Sequence, residues 1–232
     1  MKLAVVTMIY NEKKILPLWL KYYGGQVGYS NLYVVDNDSS DGCLNVLPKE
    51  VSVIRYPRGG GFSDNRRASF ISSFCAGLLN IFDSVIYVDC DEFLVPDPCL
   101  YSGLEDYQEK MKDDFVTPVG LNLCHNVNEE KSLKFDLGIL RQRSYVTIEP
   151  AMCKPCLTKR ALSWGGGFHS CNELPNLASD IFLFHLKDVD IASRLERQEL
   201  TRNIIWEKKV TQNSGPGAHQ RLSNEAIIQR FR

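Results

Sequence analysis

The sequence predicts an α/β fold, with a mostly parallel central sheet flanked by helices in a single domain. Two observations carry that prediction. Short β-branched runs alternate with segments of helical spacing through the first hundred residues, and polar clusters stand directly after those runs. Strand, helix, strand, helix, strand is the pattern of parallel strands joined by right-handed crossovers. With 232 residues, of which 44% are hydrophobic and 24% charged, the chain can fill a real core.

Residues 2–7 form the first predicted strand. A helix follows over 12–23, with Ile15, Leu16, Trp19, Leu20 and Tyr23 on one face, Pro17 tolerated in its first turn and Gly24-Gly25 as its stop. Residues 31–35 are a second strand running into Asp36-Asn37-Asp38-Ser39-Ser40-Asp41-Gly42, and 51–56 a third, ahead of Gly59-Gly60-Gly61. A long helix is predicted over 62–82, then a strand over 85–88 that runs straight into Asp89-Cys90-Asp91-Glu92. In the second half, 115–123, 145–148, 154–162 and 181–186 read as strands, 126–134 as a polar loop, and Trp164-Gly165-Gly166-Gly167-Phe168 as a flexible loop. A charged helix over 191–209, a linker over 211–219 and an amphipathic helix over 222–231 close the chain, an ending that suits one domain of a longer polypeptide. Ligands of a parallel sheet bind at the carboxyl ends of its strands, so the clusters at 7–12, 36–41 and 89–92 are expected to gather on one edge.

Charge and targeting narrow the possible roles. The formal net charge of -1, from 27 basic and 28 acidic residues, offers no general attraction to nucleic acid or an anionic membrane, so phosphate binding must be local. Leu3-Ala4-Val5-Val6 is too short for the apolar core of a secretory signal, and no stretch approaches the roughly 20 apolar residues of a spanning helix. The expectation is a soluble, cytoplasmic protein whose eight cysteines are mostly reduced thiols.

Asp89-Cys90-Asp91 is the most informative triplet. Two carboxylates separated by one residue at the end of an apolar strand can share Mn²⁺ or Mg²⁺, hard cations that complete their shell with water and substrate phosphates. Thr7-Met8-Ile9-Tyr10-Asn11-Glu12 ends the first strand, and Val34-Val35-Asp36-Asn37-Asp38-Ser39-Ser40-Asp41-Gly42 ends the second. In this order, with Asp89-Cys90-Asp91-Glu92-Phe93 third, the elements resemble the GT-A (Rossmann-like) glycosyltransferases. The match is to the family 2-like group, in a variant of small bacterial and viral relatives where Glu-Phe follows the acidic pair. The resemblance covers residues 3–95 well and weakens toward 190.

That resemblance implies a metal-dependent transfer of a sugar from a nucleotide-diphosphate donor, a UDP-sugar first, to a glycan or other hydroxyl acceptor with inversion. It implies one domain over 1–210, with a nucleotide half (1–95) and an acceptor half (96–210), followed by a linker and helix over 211–232. Thr7, Tyr10, Asn11, Glu12, Asp36 and Asp38 would border the base and ribose. Arg66 would approach the diphosphate, Asp89 the ribose or metal, and Asp91 the metal. The family often adds a histidine from its second half; His185 is the candidate metal ligand and His169 the candidate donor contact. Residues 126–134 and the stretch after Lys187 are candidate acceptor contacts.

Inverting transfer needs a base for the acceptor proton. Asp190 and Asp188 follow His185 closely, Glu173 follows the glycine loop as their rival, and Glu149 is a further candidate. Trp164 suits either a mobile lid stacking on a sugar or a core anchor. Three other readings compete. Cys153, Cys156, His169 and Cys171 could bind zinc in an interaction module. Asp89 could be a phosphatase nucleophile, although such pairs usually follow the first strand. The chain could also bind a nucleotide sugar without turning it over.

Overall fold

The computed structural model describes residues 2–59, 61–205 and 222–231. Its strands join in one mixed sheet. On one side lies a parallel block: β3 (Ser52–Arg55), β2 (Leu32–Asp36), β1 (Leu3–Ile9) and β4 (Ser84–Tyr87). The order then continues through β8 (Leu157–Thr158), β6 (Phe115–Cys124), β9 (Leu177–His185) and β5 (Glu92–Pro96), with β7 (Tyr145–Ile148) paired to β6. The β4–β8, β6–β8 and β5–β9 pairings are antiparallel. Among the described residues the helices are α1 (Leu16–Val27), α2 (Asp64–Leu78), α3 (Leu104–Lys110), α4 (Ile191–Arg202) and α5 (Asn224–Ile228). No described helix is long and apolar enough to cross a membrane.

Every residue of β1 is buried, because helices cover both faces of the parallel block. The period of two divides its side chains: Leu3, Val5 and Ile9 join the core of α1 with Trp19 and Tyr23, while Ala4, Val6 and Met8 join that of α2 with Ile71 and Cys75.

Several boundaries differ from the sequence expectation, each for a local reason. Helix α1 runs through Gly24-Gly25 to Val27 and stops at Gly28, whose φ of 80° is the left-handed geometry glycine accepts without strain. Gly24 serves packing instead, since a Cβ there would run into the Tyr29 ring. Pro17 does fall in the first turn. Helix α2 ends four residues before the expected Phe82, in turns from Gly77 to Asn80 and Leu78 to Ile81. The strand expected over 154–162 is only Leu157–Thr158. Strand β5 and helix α3 had no counterpart in the sequence reading. The expected linker over 211–219 and the end of the 191–209 helix lie outside the described residues.

The chain divides into two compact units. The first is Met1–Pro57, Asp64–Leu121 and Ile148–His185; the second is Arg58–Ser63, Asn122–Thr147 and Leu186–Arg232. The second has its own nucleus. Helix α5 meets α4 where Gln198 and Arg202 donate to the Leu222 carbonyl, and the buried Phe231 lies edge-on to His125. None of the eight cysteines is joined in a disulfide.

Candidate functional site

The parallel register of β1, β2 and β4 brings their carboxyl ends together within the first unit, as the polar clusters predict. The loops after β1 and β2 are laced to each other. Asn11 occupies the left-handed region (φ 54°), and its side-chain oxygen accepts from the Ser40 and Asp41 amides at 2.7 and 3.2 Å. Its own amide donates to Ser39 Oγ, and the Lys13 amide to Asp41 Oδ2. Asp36 is buried and accepts from the Ser39 amide at 3.0 Å, closing its own loop. Asp38, also left-handed (φ 60°), is gripped by Arg55 at 3.1 Å through Nε and Nη2. Asn11 and Asp36 thus shape the edge from within, and Tyr10, Glu12 and Asp38 are its partly exposed side chains.

Thr7 was expected at the nucleotide and is placed elsewhere. It is wholly buried between Val5 and Ile9 on the α1 face of β1, and its hydroxyl finds no hydrogen-bond partner among the described residues. It lies behind the loop rather than on its surface.

The acidic triplet forms a turn at the end of β4, closed by the Glu92 amide donating to the Asp89 carbonyl at 3.0 Å. The two carboxylates have different surroundings. Asp89 Oδ1 accepts from Tyr87 Oη at 3.0 Å and meets Arg67 Nη2 at 3.4 Å. Burial pushes its pKa up, but Arg67 and then Lys154 outweigh that and hold it below the ordinary carboxylate value. Asp91 Oδ2 lies 3.4 Å from His185 Nε2. Pairing of Glu92 with His185 in the β5–β9 register delivers that imidazole.

Arg67 reaches Asp89, whereas Arg66, singled out from sequence, is exposed on α2. Helical spacing carried the distinction: the buried stripe is Ala68, Ile71, Cys75 and Leu78, and Arg67 lies four residues before Ile71. The guanidinium rests 4.8 Å from the centre of the Phe168 ring, which itself packs 4.3 Å from Tyr87. Phe168 is buried at a left-handed φ of 61°, and Gly167 before it has φ 72°. Trp164 is anchored, its indole N–H donating to the Pro155 carbonyl at 2.9 Å, so it is a core anchor and not an aromatic open to a sugar. Arg67→Met is expected to cost about 2 kcal/mol in urea unfolding by leaving Asp89 and Asp64 without their cation, against less than about 0.5 for Arg66→Met.

The remaining candidates disperse. His169 is exposed, and its Nδ1–H donates to the Ala151 carbonyl at 2.7 Å, because a carbonyl only accepts. Glu173 pairs with Arg160 at 2.9 Å, and Glu149 caps the turn at Ala151. In the second unit, Asp188 accepts from Asn122 at 3.0 Å and Arg194 at 3.1 Å. Asp190 caps α4: Oδ1 accepts from the Ser193 amide at 2.9 Å and Oδ2 from the Leu133 amide at 3.0 Å. Both oxygens of this buried carboxylate accept from backbone amides, so it serves first as the start of α4.

Mn²⁺ or Mg²⁺ fits the Asp91–His185 pair. In an octahedral shell with bonds of about 2.1 Å, neighbouring ligands lie roughly 3 Å apart, near the 3.4 Å observed. Among the described residues no three His, Cys, Asp or Glu side chains converge. An open set of one or two side chains completed by water and phosphates suits these cations, whereas structural zinc needs four ligands. Cys156 is buried, and Cys153 and Cys171 accept from the Gly120 and Glu173 amides, so the zinc reading finds no converging ligands.

No protein-family model and no curated protein matches the sequence. Among solved structures, the chain is similar to mannose-1-phosphate geranyltransferase from Thermus thermophilus, with 8% identity and a TM-score of 0.39 over 100% of this chain and 64% of that one. It is also similar to the mannosyltransferase PcManGT from Pyrobaculum calidifontis, a complex with GDP-Man and Mn²⁺, with 13% identity and a TM-score of 0.44 over 99% of this chain and 72% of that one. The chain therefore spans just under two thirds of the length of the first.

Proposed function

We propose that this protein is a metal-dependent glycosyltransferase that moves a sugar from a nucleotide-diphosphate donor, a UDP-sugar first, to a hydroxyl acceptor with inversion. The observation that carries the reading is the Asp91–His185 pair, 3.4 Å apart, at the carboxyl end of β4 beside the laced loops of β1 and β2. Tyr10, Glu12 and Asp38 line the base and ribose, while Asn11 and Asp36 hold their loops. Arg67 supports Asp89, and Arg66, exposed on α2, is proposed to approach the diphosphate. The imidazole favours Mn²⁺ over the harder Mg²⁺. A bound cation supplies charge stabilisation to the departing nucleotide diphosphate.

In the transfer, the acceptor oxygen attacks the anomeric carbon, the bond from that carbon to the diphosphate oxygen breaks, and a carboxylate takes the hydroxyl proton. Glu173, in the same unit as the acidic turn, is the proposed base. The test is nucleotide release from UDP-, GDP- and dTDP-sugars, read by chromatography with Mn²⁺ and with chelator. Mn²⁺-dependent release of UDP supports the reading. Release from none of them by folded protein, or phosphate release from simple esters, contradicts it.

A further inference from the structure

We propose that Lys154 is a positioning residue for the acidic turn and acts on it through Glu92. This inference rests on the proposed metal and nucleotide site. Lys154 comes from the segment before β8, and its Nζ meets Glu92 Oε1 at 2.6 Å, with the two side chains only 1% and 2% exposed. The other carboxylate oxygen of Glu92, Oε2, accepts the Asp89 amide at 2.9 Å. The Glu92 amide donates back to the Asp89 carbonyl, so Glu92 clamps the turn Asp89-Cys90-Asp91 from both sides. The Glu92 carbonyl is held in turn by the Tyr23 hydroxyl at 3.1 Å.

A buried ammonium and a buried carboxylate are expensive to desolvate, and a well-packed apolar pair would serve the core at least as well. The arrangement is accounted for by what Glu92 does with its second oxygen. One oxygen is pinned by Lys154 from the segment before β8, and the other fixes the amide that sets the direction of both Asp89 and Asp91. Without the pin, Glu92 can rotate, and the turn loses its template. Support of this kind behind a metal site typically changes metal affinity by about 10- to 100-fold. The only sequence sign of the role is a lysine within the otherwise apolar Cys153-Lys154-Pro155-Cys156-Leu157.

Lys154→Met alone leaves a buried carboxylate uncompensated and can prevent folding. The deciding variant is therefore Lys154→Met with Glu92→Gln, which removes both charges while keeping an acceptor for the Asp89 amide. Its melting temperature, the hydrogen exchange of the Asp89 amide without metal, and binding of Mn²⁺ with UDP are compared with wild type. The expected result is a melting point near wild type, Asp89 exchange at least about tenfold faster, and binding weaker by at least about tenfold. A folded double variant with unchanged exchange overturns the positioning role. So does one whose binding equals that of wild type. If wild type itself binds no Mn²⁺ with any nucleotide, the functional reading fails separately, and the exchange rate alone decides whether Lys154 positions the turn.

Discussion

Asp190→Ala is expected to lower the unfolding free energy by about 3 kcal/mol, the low end of the range for breaking a buried charge pair. The substitution removes three supports together. It deletes the cap of α4, worth about 1 kcal/mol by itself, and the acceptor of the Leu133 amide. It also removes the carboxylate 3.6 Å from Arg143, whose wholly buried guanidinium otherwise donates to the Val189, Lys131 and Gln142 carbonyls. The same site sets a pH dependence. Burial works to raise the Asp190 pKa, but the hydrogen bonds from Leu133 and Ser193, then His125, hold it below the ordinary value. A lowered folded pKa means stability is complete above the unfolded value of about 3.9 and is lost as pH falls through the folded one. Asp190→Asn should therefore flatten the acid side of the stability curve in that window, measured by urea unfolding at several pH values. An unchanged acid slope would show that this carboxylate is not the linked group.

Asp91→Asn has the largest effect expected on ligand binding. The substitution keeps the side-chain shape, but it removes the charge beside His185, the one carboxylate of the pair that would face the cation. Loss of about 100-fold in Mn²⁺-dependent nucleotide binding is expected, about 2.7 kcal/mol, with thermal stability close to wild type because the Asp91 side chain is partly exposed. Asp89→Asn should behave differently. Asp89 also answers Arg67 and Tyr87, so it should lose stability along with binding. That contrast, read by calorimetry and thermal melting on the same samples, separates a ligand from a supporting carboxylate.

The centre of the parallel block was legible in the sequence because β1 and β4 are buried on both faces and therefore read as uninterrupted apolar runs, Leu3-Ala4-Val5-Val6 and Val85-Ile86-Tyr87-Val88. Strand β5 was hidden by its own chemistry. Glu92-Phe93 read as the tail of a motif, and only the pairing of Leu94 with Leu183 shows that those residues begin a strand. The acidic turn and His185 were visible as residue types. Their division of labour was not, because it depends on Arg67 and Lys154, which lie far from the turn in sequence and beside it in space. Asp190 misled for the opposite reason: an aspartate shortly after His185 looks like a base, yet Asp190-Ile191-Ala192-Ser193 is also a helix start, and the cap prevailed.

The most direct test of the central claim is a calorimetric titration of UDP into the wild-type protein, with Mn²⁺ and again with chelator. Binding that requires Mn²⁺ and disappears in Asp91→Ala is the result this account predicts. Equal heats with and without metal, or binding unchanged in Asp91→Ala, would contradict it, as would absence of binding to UDP, GDP and dTDP by protein shown to be folded.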